Sequence, residues 1–304
     1  MARDRRGGFG GARIEFAMLV GLLCLVAYTF GCASGKMPIP DPQQRLRNAE
    51  EIAANSGFAR LDSEAFVANM LPVAAWIRHA PNRSVENAAL HIYIEGDGLA
   101  WRSRRRVSPD PTPARPIGLE LAAADPSSAT IVYLGRPCQY GFPKQSACRP
   151  IFWTAARHGE AVLDAMNRRI DEVIAKLGDP TSLFLIGYSG GGVVAALLAA
   201  RRDDVRGLIT IAAPLDVGGW TRSAHVSPLA ASLSPMDSIE ALRSLRQHHF
   251  VGRNDSRVPI AATEAFHRAL GPEANSRLTI VEDMDHRSWP GKWATLTRAN
   301  ELFE

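Results

Sequence analysis

The chain has 304 residues, 46% hydrophobic and 22% charged, with a formal net charge of +4. That balance supports a real buried core and excludes a disordered chain or a repeat array. Only four of its 35 basic residues are lysine, so the charge is arginine spread along the chain, and so small an excess does not by itself indicate a nucleic-acid binder.

Arg3, Arg5, Arg6 and Arg13 precede an apolar run from Phe16 to Phe30, followed by Gly31-Cys32-Ala33-Ser34. A positive flank, an apolar stretch and small residues at its end are the parts of a secretory signal. The run of 15 is short for a membrane span, which needs about 20 apolar residues. On these residues the N-terminus resembles a bacterial lipoprotein precursor, in which cleavage before a cysteine leaves that cysteine lipidated. Gly31 suits the position before the cysteine, whereas Thr29 and Phe30 depart from the usual pattern. The resemblance implies a signal over residues 1–31, a lipid on Cys32 and an exported body anchored at the cell envelope, at the periplasmic face or outer membrane. A plain cleaved signal and an uncleaved anchor are the alternatives.

Loss of residues 1–31 would remove those four arginines against Asp4 and Glu15, leaving a charge of about +2. Cys24 would leave with the signal. Cys138 and Cys148 then read as a disulfide in an oxidising compartment, with two free thiols as the alternative.

Residues 34–44 contain three prolines and little apolar content, which suits a tether, and Arg45–Ala54 has the pattern of a short helix. Residues 32–60 are thus expected to be tether and lead-in, and 61–304 a single folded domain. Short apolar runs follow as candidate strands: Ala65–Ala68, Val73–Ile77, Leu90–Ile94, Ile131–Leu134, Leu183–Ile186, Leu208–Ile211, His249–Val251 and Leu278–Val281. Runs this short and this apolar suit strands covered on both faces of a parallel sheet. Helical patterns lie between them. Val162, Met166, Ile170, Val173 and Leu177 share one face ahead of Gly178. Ser234-Pro235 opens a second helix with Ile239, Leu242 and Leu245 inside, and Gly190–Ala200 and Ala261–Leu270 complete the set. The alternation predicts an α/β fold, a mostly parallel doubly wound sheet with helices on both faces.

Leu183–Ile186 runs directly into Gly187-Tyr188-Ser189-Gly190-Gly191 and then into an apolar helix. A G-x-S-x-G turn between strand and helix holds the serine in a strained conformation with its hydroxyl exposed. The small neighbours let the helix approach the strand, and the N–H of Gly190 can point at a developing oxyanion. A serine needs a base, and the base an orienting acid. With this turn in place the chain resembles the α/β-hydrolase family, in which nucleophile, acid and histidine follow in that order. His286, five residues past Leu278–Val281, matches the family histidine; His225, in a long loop, is its rival. Asp255, in the Gly252-Arg253-Asn254-Asp255-Ser256-Arg257-Val258-Pro259 segment after a strand, matches the acid. Asp283 and Asp285 are nearer His286 in sequence and are expected to cap or solvate their loop.

The resemblance also implies a second oxyanion donor from the loop after Leu90–Ile94, here Glu95-Gly96-Asp97-Gly98, with the Asp97 N–H as donor. The acids at 95 and 97 depart from the family's pattern. A carboxylate aimed at an oxyanion would oppose catalysis, so the Asp97 side chain is expected to turn away, toward Arg102, Arg104 or a cationic substrate group. Gly96, Gly98, Tyr188, Arg136, Tyr140 and Trp220 are candidate substrate contacts, and residues 214–233 read as a lid, a pocket wall or an ordinary insertion. Trp101-Arg102-Ser103-Arg104-Arg105-Arg106 is either a solvated face or a contact with anionic lipid or polymer.

The whole implies a serine hydrolase acting on an ester or related acyl bond of a small molecule. The triad is Ser189, His286 and Asp255, and the oxyanion donors are Gly190 and Asp97. No metal, cofactor or nucleic acid is expected, and membrane contact would be through Cys32. A peptidase or amidase with the same triad, or a non-catalytic surface binding protein, are the alternatives.

Overall fold

The strands of this chain are short, apolar and flanked by amphipathic helices, and in the computed structural model they assemble as one twisted sheet. The structure describes residue 1 and residues 39–62, 70–81, 89–142, 144–178, 180 and 182–303. The apolar run, Cys24, Cys32 and the candidate strand at 65–68 lie outside the described residues. Residues Pro40–Glu304 form one compact unit.

The main sheet has eight strands: β1 (Ala59–Arg60), β2 (Ala75–Arg78), β3 (Ala89–Ile94), β6 (Thr130–Leu134), β7 (Ser182–Tyr188), β8 (Val205–Ile211), β9 (Arg246–Gly252) and β10 (Ser276–Val281). Their order is β1-β2-β6-β3-β7-β8-β9-β10. The first two pairings are antiparallel and the rest parallel. A separate two-stranded ribbon, β4 (Trp101–Ser103) with β5 (Arg106–Val107), stands outside it.

Alternate residues of the central strands feed two cores, as a sheet buried on both faces requires. Ile92, Ile94, Leu183, Leu185 and Leu208 pack with helices Glu160–Leu177, Gly190–Ala199 and Ile260–Leu270. Tyr93, Ile131, Tyr133, Phe184, Ile186 and Phe250 pack with helix Ile117–Ala123 and with Trp293 of helix Pro290–Ala299. Helix Glu160–Leu177 ends at Gly178, whose φ of 83° is readily adopted only by a residue without a Cβ. The Ser234 hydroxyl does accept the Met236 N–H, but the segment forms a 3₁₀ turn, Pro235–Ser238, before a single helical turn, Ile239–Leu242.

The short helix expected at 45–54 runs from Pro42 to Asn55, into the proline-rich stretch expected as tether. Asp41 caps helix Pro42–Asn55 by accepting the Gln44 N–H at 2.9 Å, and Arg45, Ala49 and Ala53 of that helix are buried. The Arg45 guanidinium donates to the carbonyls of Asp110 and Thr112, so the helix belongs to the body.

Candidate active site

Parallel strands deliver their carboxyl ends to one edge of the sheet, and four of the connecting loops carry the candidate chemistry. Ser189 follows β7 with φ 52° and ψ −125°, a left-handed conformation that costs a non-glycine residue about 1–3 kcal/mol. Its N–H donates to the Ile211 carbonyl at 2.8 Å, and its carbonyl accepts the Gly192 N–H at 2.9 Å. The turn closes only because its flanking positions lack side chains. A Cβ on Gly187 would lie 2.4 Å from Gly192 Cα, and one on Gly191 would lie 2.3 Å from the Ile94 carbonyl oxygen.

Asp255 lies in the loop after β9 with its side chain buried. Oδ1 accepts the N–H groups of Arg257 and Val258 at 2.8 and 2.9 Å, which leaves Oδ2 to accept Nδ1 of His286 at 2.7 Å. The histidine loop is fixed beside it. Asn254 N–H donates to the Met284 carbonyl at 3.0 Å, and a Cβ on Gly252 would strike that same oxygen at 2.3 Å. Tyr188 joins the serine turn to the histidine loop: its hydroxyl donates to the His286 carbonyl at 2.8 Å, and the two rings lie 5.3 Å apart. No hydrogen bond links Ser189 Oγ to His286 among the described residues; such bonds are often long in the absence of substrate.

Asp285 turns outward and accepts the Ser288 hydroxyl and the N–H groups of Arg287 and Ser288. The Ser288 hydroxyl, followed by those amides, holds its pKa below the usual carboxylate value. Asp283 is exposed, as is His225, which shows a positive φ of 51°.

Gly96 and Asp97 meet the serine turn directly. A Cβ on Gly96 would lie 3.3 Å from Ser189 Cβ, and one on Gly190 would lie 2.1 Å from Asp97 Oδ1. The Gly96 N–H is consumed by Glu95 Oε1 at 2.8 Å. The N–H groups of Asp97 and Gly190 have no acceptor among the described residues. Gly98 shapes the loop at φ 65°, where a Cβ would collide with the Pro111 carbonyl oxygen.

The Asp97 carboxylate turns to cations other than those expected. Oδ1 takes Arg136 at 3.1 Å, Oδ2 takes Arg157 at 2.8 Å, and His158 Nε2 lies 3.7 Å away. Burial works to raise its pKa, but Arg157, His158 and Arg136 outweigh that and hold it well below the usual carboxylate range. Burial likewise pushes His158 down to about 4, despite Asp97, so the imidazole is neutral and the cationic partners are the two arginines.

Arg136 and Tyr140, expected at the substrate, are instead buried. Arg136 is spent on Asp97 and on the Arg157 carbonyl. Tyr140 packs against Trp76 at 5.1 Å, and its hydroxyl lies 2.5 Å from that of Tyr133. Tyr133 in turn donates to Glu95 at 2.8 Å. Trp220 lies on helix Val217–Ser223, within the 214–233 segment expected as a lid, a pocket wall or an insertion, and its indole donates to the Arg257 carbonyl at 2.8 Å, which ties this helix to the loop after β9. Cys138 and Cys148 form a disulfide.

Sequence reasoning missed Arg157, His158 and the support role of Glu95. The only available signal was the conflict posed by a carboxylate beside a candidate oxyanion site, which calls for cations without naming them.

No family model matches the chain, and no curated protein matches it. Solved structures do. An acylaminoacyl peptidase of Pyrococcus horikoshii superposes with a TM-score of 0.57 at 15% identity, covering 81% of this chain and 41% of that one. A Pyrococcus furiosus esterase gives 0.56 at 12% identity over 82% of this chain and 91% of its own. A Xanthomonas campestris α/β serine hydrolase described as lacking a lid gives 0.51 at 17% over 81% and 96%. This chain spans less than half of the peptidase and nearly all of the other two. With its strand order and its helices on both faces, the chain has the α/β-hydrolase fold.

Proposed function

We propose that the protein is a serine hydrolase that cleaves an ester or related acyl bond. The observation that carries the reading is the pairing of a strained serine at the end of β7 with an Asp255–His286 hydrogen bond of 2.7 Å on the neighbouring loops. Ser189 attacks the acyl carbon and its proton passes to Nε2 of His286. Asp255, bonded to Nδ1, holds the ring in the tautomer that leaves Nε2 free to accept and stabilises the imidazolium that forms. The N–H groups of Gly190 and Asp97 take the developing oxyanion. The leaving group departs with the proton from His286, and water then attacks the acyl-enzyme with the same histidine as base.

A fluorophosphonate probe tests this. Wild type should label, Ser189→Ala should not, and His286→Ala should label far more slowly. Well-folded wild type that fails to label overturns the reading. Rates on matched nitrophenyl esters and nitroanilides separate an esterase from an amidase.

The mature protein is exported and lipid-anchored through Cys32 at the cell envelope, a reading supported by the arginine flank, the apolar run and the Gly31-Cys32 junction. Incorporation of labelled palmitate in an expressing bacterium, lost in Cys32→Ser, checks it.

A further inference from the structure

The basic run beginning at Trp101 is not a loop but the antiparallel ribbon β4–β5, with Trp101 opposite Val107 and Ser103 opposite Arg106. It takes no part in the main sheet. Arg102, Arg104, Arg105 and Arg106 are all exposed, and none of the four guanidiniums has an ion-pair partner or a side-chain hydrogen bond among the described residues. Some surface arginines elsewhere are paired, Arg115 with Glu120, Arg201 with Glu160, Arg202 with Asp171 and Asp204, and Arg253 with Glu282, while others such as Arg149, Arg206 and Arg268 are exposed singly along the chain. Trp101 stands among the ribbon's arginines and is 42% exposed, one of few large apolar side chains left in water.

The ribbon is stiff at its base. Ser108 N–H donates to the Ala100 carbonyl at 2.9 Å and Leu99 N–H to that of Pro111 at 2.9 Å. The Ser108 hydroxyl donates to the Asp110 carbonyl at 2.7 Å, and the Trp153 indole donates to the Ser108 carbonyl at 3.0 Å. Through that last bond the 3₁₀ turn Pro150–Trp153 lies against the ribbon's base, and it brings a second exposed apolar side chain, Ile151.

We propose that the ribbon 101–107 docks on an anionic lipid bilayer, with Trp101 at the headgroup level and the four arginines on the headgroup phosphates. Charge complementarity favours the anionic occupant, because a local charge of +4 is gathered on one short ribbon without counter-ions. The indole favours a bilayer over a soluble polyanion. Tryptophan gains most where one side is apolar and the other wet, whereas a hydrated polymer offers it no apolar layer. Each arginine near an anionic surface strengthens association about fivefold. The stiff base means that little chain freedom is lost on docking. Because the ribbon starts three residues after Gly98, docking would hold the Gly96–Gly98 loop close to the membrane. The docking itself does not depend on the catalytic reading.

The test reconstitutes the full chain into vesicles of phosphatidylcholine alone, or of equal parts phosphatidylcholine and phosphatidylglycerol, each carrying brominated acyl chains that quench nearby tryptophan. The quenching signal is the difference between wild type and Trp101→Phe, which removes background from the other tryptophans. Quenching is expected only with phosphatidylglycerol, should weaken as salt screens the charges, and should fall about fivefold in docked-to-undocked ratio per arginine replaced by serine. Equal quenching in the neutral vesicles, or none in the anionic ones, overturns the proposal. A Trp101 emission shift with heparin but no quenching by anionic vesicles also overturns it, in favour of a polyanion. Fluorophosphonate labelling of the arginine variants in detergent should match wild type, so a failed docking result is not confused with a failed catalytic reading.

Discussion

Glu95 lies beside the Gly96–Gly98 loop and is a carboxyl whose titration the fold displaces into the neutral range. It accepts the N–H groups of Gly96 and Gly118 and the Tyr133 hydroxyl. Burial is the largest influence and raises its pKa; the bonds from Gly96, Tyr133 and Gly118 pull it back, and it settles at about 7 against an ordinary 4.5. A carboxyl raised in this way binds its proton more tightly in the folded chain than in the unfolded one. Its stabilising contribution is therefore full below pH 4.5 and is lost as pH rises toward 7. That displacement corresponds to about 3 kcal/mol. Glu95→Gln removes the titration and keeps the shape: the amide oxygen can accept from Gly96 and Gly118, and the amide NH₂ can donate to the Tyr133 oxygen, whose own proton turns to Tyr140. Urea titrations of both proteins across this pH window should show wild type losing about 3 kcal/mol more than the variant on going from acid to neutral pH. Other titrating groups cancel in the difference. Curves that run parallel would mean that Glu95 holds one ionisation state throughout, and would refute the reasoning.

Gly190→Ala puts a methyl where the Asp97 carboxylate sits, and that carboxylate cannot swing aside without breaking its bonds to Arg136 and Arg157. Turnover measured on a nitrophenyl ester should fall about 100-fold, the typical effect of losing an oxyanion donor, and an unchanged rate would show the contact to be irrelevant. Replacing Cys138 and Cys148 with serine opens a loop of ten-residue separation and should cost about 3 kcal/mol in urea titration, with no effect expected if the segment stays ordered in the unfolded chain. His249 is held neutral, with a pKa near 3, by burial first and by His267 and His248 next. The unfolded chain therefore binds a proton that the native state refuses, and stability falls as pH drops below 6.5. His249→Gln should lose about 3 kcal/mol less than wild type by about pH 4, as read from acid-denaturation midpoints.

What could be seen in the sequence divides by the range of the physics involved. The serine turn was legible because its requirements are local: an apolar strand, three small positions against a helix, and no side chain between them. The central strands were legible for the same reason, with one or both ends extended by one to three residues. Helix Val217–Ser223 was not, since two glycines in seven residues argue against a helix; it forms because Asp216 accepts the Gly219 N–H and Trp220 is tied to Arg257. Helix Ile117–Ala123 has no cap from its own N-terminal residue, Pro116; Glu95, 23 residues earlier, accepts its Gly118 N–H instead, and the helix packs against β3 and β6. The misplacement of Arg136 is the most instructive case. Its position after a strand's carboxyl end pointed to substrate, but its partner is 39 residues away and the other cation, Arg157, is 60 residues from Asp97. Spacing cannot reveal such a pair, although the electrostatics demanded one. An ionised Asp97 within a few ångströms of Gly190 would cancel the field that an oxyanion needs, and with two arginines on the same carboxylate the cluster carries a net positive charge. On the proposed function, Asp97 would thus be compatible with a developing negative charge on the substrate, through residues that lie far from the loop in the chain.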